Sequence, residues 1–110
     1  MSTLHINLRL VDPDLTVRVD DLPIDYNRKK SLSRILAAAD GVVALDFSEV
    51  GTMSALYIHT SSPITLGLNG GGTTVVETDL LVTNGMAVVS MHNLDPTVDA
   101  SVDIYAYGSV

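Results

Sequence analysis

Ala55-Leu56-Tyr57-Ile58-His59-Thr60 is followed, after Ser61-Ser62-Pro63, by Ile64-Thr65-Leu66-Gly67-Leu68-Asn69, and this pair of runs decides the fold. Both runs are short and rich in alternating apolar residues, and both stop at residues with turn chemistry. The pattern continues with Val75 to Val82, Met86 to His92 and Val98 to Tyr107. Asn69-Gly70-Gly71-Gly72, Asn84-Gly85 and Asn93-Leu94-Asp95-Pro96 separate these runs. Short strands at close spacing, joined by such turns, predict an antiparallel sandwich or barrel. The expected fold is all-β: a single antiparallel β-sandwich domain, jelly-roll-like, spanning residues 1–110 with little or no helix.

Working back toward the N-terminus, Leu4, Ile6, Leu8 and Leu10 alternate with His5, Asn7 and Arg9, as a half-buried strand requires. Asp12-Pro13-Asp14 is tight enough for a hairpin turn, and Leu15, Val17 and Val19 alternate in a return strand. The charged stretch from Asp20 to Lys30 around Pro23 reads as the one extended loop, a disordered or partner-contacting stretch. Residues 31–39 leave two readings open. Leu32, Ile35, Leu36 and Ala39 have helical spacing, whereas Asp40-Gly41 between apolar residues is a strong hairpin signal. The hairpin is preferred, with Val42 to Phe47 as its return strand, because an isolated helix of this length is marginal. In the last run Val98, Ala100, Val102, Ile104 and Ala106 face one way, and Tyr105 and Tyr107 face the other.

Composition narrows the function classes. Of 110 residues 46% are hydrophobic and only 17% charged, and the mean hydropathy is positive. That is more apolar material than a solvated monomer needs, so part of it is expected in a subunit interface. The formal net charge of -7 disfavours nucleic acid as a partner. There is no cysteine, so neither disulfides nor thiolate metal sites can form. No apolar run reaches the length of a membrane span and no signal pattern opens the chain, so a soluble protein without membrane contact is expected.

The chemistry-bearing residues do not assemble into a familiar motif. His5, His59 and His92 fall on different predicted strands without a ligand at local spacing, so no metal is expected. The aspartates at 12, 14, 20, 21 and 25 lack the glycine that a calcium loop needs for its sharp turn. The glycines at 70–72 are not followed by the lysine of a phosphate loop, and no nucleophile elbow is present. The chain is therefore expected to be no enzyme and to carry no cofactor. Two groups remain as candidate partner contacts. Arg28, Lys29 and Lys30 form the one basic cluster in an acidic chain, and Tyr57, Tyr105 and Tyr107 offer exposed aromatic surface.

Ala39 to Phe47, Val50 to Thr60 and Pro63 to Asn69, with a closing segment from Met86 to Asn93 and from Val98 to Gly108, resemble a known kind of protein. The stretch from 31 to 110 looks like the small β-sandwich structural proteins of tailed bacteriophage virions, in particular the head decoration or cement class. The resemblance implies a homo-oligomer, a trimer or dimer, made in the host cytoplasm and bound to the major capsid protein or another virion protein on the outer capsid surface. Behind that leading reading it implies, as an alternative, a tail, baseplate or fibre component. A small carbohydrate-binding sandwich is a further alternative, resting on the tyrosines.

Overall fold

The computed structural model of the chain describes residues 2–83 and 87–110. Its ten strands are β1 (Ser2–Val11), β2 (Thr16–Tyr26), β3 (Arg28–Leu36), β4 (Val43–Ala44), β5 (Thr52–Thr60), β6 (Ile64–Leu68), β7 (Thr73–Val76), β8 (Asp79–Val82), β9 (Val88–Asn93) and β10 (Ala100–Ser109). A single 3-10 turn at Ser48–Val50 is the helical content among the described residues. Eight strands form two antiparallel sheets, ordered β3-β10-β5-β8 and β4-β9-β6-β7. From β3 to β10, every step of the chain crosses between the sheets except the β6–β7 hairpin. This is the connectivity of a jelly roll.

Alternation explains why these segments became strands and which face each one buries. Leu56 and Ile58 on β5, Val102, Ile104 and Ala106 on β10, and Leu36 on β3 point inward from the first sheet. Ile64, Leu66, Val76, Val88 and Met91 meet them from the second, and Phe47 and Val50 close one end. The side chains of one parity in β10 are all buried from Ala100 to Ala106, as the sequence pattern requires. Removing such well-packed apolar area from water, at about 25 cal/mol per Å², is the main force holding the sheets together.

Residues 2–26 stand outside the sandwich. β1 and β2 pair only with each other, as an antiparallel hairpin closed by hydrogen bonds between Asp12 and Leu15. The paired residues Leu4↔Ile24, Ile6↔Leu22, Leu8↔Val19 and Leu10↔Val17 form one continuous apolar face. That face survives a change of parity in β2, from odd positions up to Val19 to even positions from Leu22. A bulge makes the switch, setting Asp20 and Asp21 opposite Asn7 alone. The single bend residue Asn27 then leads into β3. It is pinned by its backbone N–H to the Gly108 carbonyl at 3.0 Å, and its Oδ1 accepts the Val110 N–H at 3.0 Å.

Several expectations need correction. The Asp20 to Lys30 segment is not a loop: β2 runs to Tyr26 and β3 begins at Arg28. Its charges belong to the solvated face of the hairpin and to an edge strand, where charge is common. Residues 31–36 are strand, as the preferred reading has it, but Asp40-Gly41 is not a hairpin turn. β3 pairs with β10 while β4 pairs with β9, so this turn carries the chain from one sheet to the other. The run Val75 to Val82 is likewise two strands in different sheets. The Asn84-Gly85 turn and Met86 lie outside the described residues.

Candidate functional site: the outer face of the first sheet

Period-two alternation places Tyr57 and His59 of β5, Tyr105 and Tyr107 of β10, Lys29 of β3, and Asp79 and Leu81 of β8 on the outer face of the first sheet. The base of the hairpin lies against this face. Leu4 and Ile6 border one shallow cleft with Tyr57, Leu81, Tyr105 and Tyr107. Tyr26 meets Tyr107 edge-on, ring centroids 4.9 Å apart at 68°. Beyond the hairpin base, Tyr57 and Tyr105 are direct cross-strand neighbours with centroids 6.2 Å apart, and both remain exposed. The three tyrosines singled out from the sequence therefore share one surface. Tyr107 already packs against the hairpin, while Tyr57 and Tyr105 are open.

A polar cluster fixes the edge of this surface. One carboxylate oxygen of Asp79 accepts the Tyr57 hydroxyl at 2.6 Å and faces His59 Nδ1 at 2.8 Å. The Tyr57 hydrogen bond, followed by the His59 contact, holds the Asp79 carboxyl below its ordinary range. The same bond to Asp79 raises the Tyr57 hydroxyl. Neither sequence spacing nor motif marks Asp79, which is 22 positions from Tyr57; only the β5–β8 register brings them together.

The basic cluster is divided between the two faces of β3. Lys29 pairs in register with Tyr107 and shares the outer face, and Arg28 is exposed. Lys30 turns the other way: its ammonium bonds the Asp46 carbonyl at 3.0 Å, pairs with Glu49 at 2.7 Å and lies 5.7 Å from the Phe47 ring centroid. Lys30→Ser is therefore expected to lower stability by about 1 kcal/mol, the scale of a partly exposed ion pair with an aromatic contact. Lys29→Ser should leave the thermal melt unchanged. Equal melts for both variants would contradict this division.

Carboxylates also set the response to acid. Asp46 is held low by the Ser48 N–H, and Asp95 by the N–H groups of Thr97 and Val98. With Asp79 they are three carboxyls whose folded pKa lies below the unfolded one. Their contribution is present above the ordinary aspartate range, near pH 4, and is lost as pH falls through the folded values. Tyr57 has the opposite sign: its share holds below about pH 10 and is lost as pH rises further. Thermal melts should therefore shift downward below about pH 4, and Asp95→Asn should flatten that slope. A slope unchanged by Asp95→Asn would contradict the assignment.

The histidines are dispersed. His5 pairs with Asp21 at 2.7 Å on the hairpin, His59 with Asp79, and His92 lies on β9 in the other sheet. Among the described residues no three His, Cys, Asp or Glu side chains are grouped so as to hold a metal ion. Among the described residues no helix is long and apolar enough to cross a membrane. The arrangement is an open aromatic and apolar surface with a polar rim, suited to docking against another surface. Protein-family models, curated proteins and solved structures were all compared with this chain, and none matched.

Proposed function

We propose that the chain is a self-associating structural subunit of a bacteriophage virion, decorating and stabilising the outer capsid as a trimer or dimer that contacts the major capsid protein. The observation that carries this reading is the N-terminal hairpin. Its apolar face continues past the body, leaving Leu8, Leu10 and Val17 between 40% and 55% exposed. A two-stranded hairpin is marginal alone, so a projecting one with an uncovered apolar face suits a subunit that completes itself on assembly. The jelly roll is a recurrent scaffold of viral shells as well as of lectins, which supports the class without selecting the role. The resemblance of residues 31–110 to virion sandwich proteins supplies the particle.

Capsids of the phage that encodes the chain, prepared without it, provide the test. Added protein should bind them saturably and raise the temperature at which they disrupt. Failure to co-sediment would reject the capsid role. The exposed Tyr57–Tyr105 pair beside the Asp79 carboxylate supports a second reading, carbohydrate recognition by aromatic stacking. It predicts glycan-array binding that Tyr57→Ala abolishes.

A further inference from the structure

The uncovered half of the hairpin and the free edge of the sandwich have opposite charge. All four basic residues of the sandwich, Arg28, Lys29, Lys30 and Arg34, lie on β3, which contains no acidic residue. β3 is an outer strand: its sheet neighbour is β10, and no strand among the described residues covers its other edge. Ile35 stands on the same strand at 65% exposure. The hairpin holds five aspartates against two arginines. Two of these aspartates, Asp12 and Asp14, sit at the turn, and Asp20 and Asp21 form the bulge. Its distal apolar face presents Leu8, Leu10, Val17, Val19 and Leu22, each at least 36% exposed.

We infer that the distal half of this hairpin docks on the β3 edge of a second copy of the chain. This rests on the reading of the protein as a self-associating subunit and names the contact. Three observations select a second copy as the occupant. The acidic arm and the basic edge are complementary, and in its own molecule the hairpin packs on β5 and β10 and not along the β3 edge. The arm's apolar strip is continuous with Leu4 and Ile6, which already border the outer face of the same sheet in their own molecule. Basic β3 edges repel one another, which disfavours edge-to-edge pairing and leaves the acidic arm as the matching strand. The contact joins two different patches, so it propagates head to tail and closes into a ring where the rotation between copies permits.

Two variants test the inference. The arm variant carries Leu10→Asp and Val19→Asp, and the edge variant carries Arg28→Glu, Lys29→Glu and Arg34→Glu; all five residues are exposed. Each alone should fall from the wild-type mass to the 11.7 kDa monomer in light scattering. Mixed, they should form a complex of twice that mass, because one retains an arm and the other an edge. An edge variant that keeps the wild-type mass, a mixture that stays monomeric, or a monomeric wild type would each overturn the inference.

Cross-linking decides the matter if a variant unfolds, and the absence of native cysteine keeps it clean. Leu10→Cys protein mixed with Ile35→Cys protein should be joined by a short bis-maleimide into a species of doubled mass. Leu10→Cys alone should not, and joining of Leu10→Cys to itself with no mixed product would place arm against arm and overturn the inference. The outcome is independent of the capsid role. Loss of the arm–edge contact in a chain abundant in virions rejects the contact alone, and its presence in a chain absent from virions rejects the role alone.

Discussion

Asn93→Ala is expected to lower stability by about 3 kcal/mol, enough to drop the melting temperature by roughly 10 °C or more. Asn93 is 3% exposed and joins three parts of the fold. Its Nδ2 donates to the Leu36 carbonyl at 3.0 Å and to the Val98 carbonyl at 2.9 Å, and its Oδ1 accepts the Asp95 N–H at 2.9 Å. It thereby ties the end of β3 to the end of β9 and to the approach to β10. No buried side-chain polar atom among the described residues lacks a partner. Alanine would take the side-chain donor from the buried Leu36 carbonyl, and an unmet buried group costs more than the bond itself contributes. Asn93→Asp keeps the acceptor but sets a carboxylate against two carbonyls, so it should be at least as damaging at neutral pH and recover in part on acidification. A denaturant titration of both variants would measure this. A loss below 1 kcal/mol for Asn93→Ala would contradict the role assigned to it.

Gly108→Ala is expected to be comparably severe, about 3 kcal/mol, for a steric reason. A Cβ at Gly108 would lie 2.6 Å from the Thr52 carbonyl oxygen and closer still to that of Val50. Both are backbone atoms, and neither can rotate away. The site is where β10 and β5 shift register, between Tyr107 and Gly108. Gly67 provides the control. There a Cβ would collide with the Ser90 Oγ, the end of a side chain that can change rotamer. Gly67→Ala should therefore cost clearly less, and Gly67→Ala paired with Ser90→Ala less again. Equal losses at 67 and 108 would contradict the account of close backbone approach at β10.

The strands were legible because alternation survives wherever one face is buried. Ala100 to Ala106 and Ile64 to Leu68 could be read almost residue by residue. Sheet membership was not legible at Val76 to Asp79 or at Asp40-Gly41. A crossing between sheets needs no tight reversal, so it leaves no glycine or proline at the first site, and at the second it borrows a turn that looks like a hairpin. The hairpin carried a usable signal that density of charge concealed. Apolar positions are odd through Val19 and even from Leu22, and a parity change across two aspartates is what a bulge looks like in sequence. Alternation also placed Tyr105 and Tyr107 together. The Asp79 link to Tyr57 and His59, and the burial of Asn93, depend on pairings between distant segments that local spacing does not encode.

The copy number of the chain per purified phage particle, from quantitative mass spectrometry, tests the structural role most directly. The account predicts an abundance comparable with that of the major capsid protein, retained on particles from which tails have been removed. A chain absent from particles, or present in a few copies that leave with the tail, would contradict it.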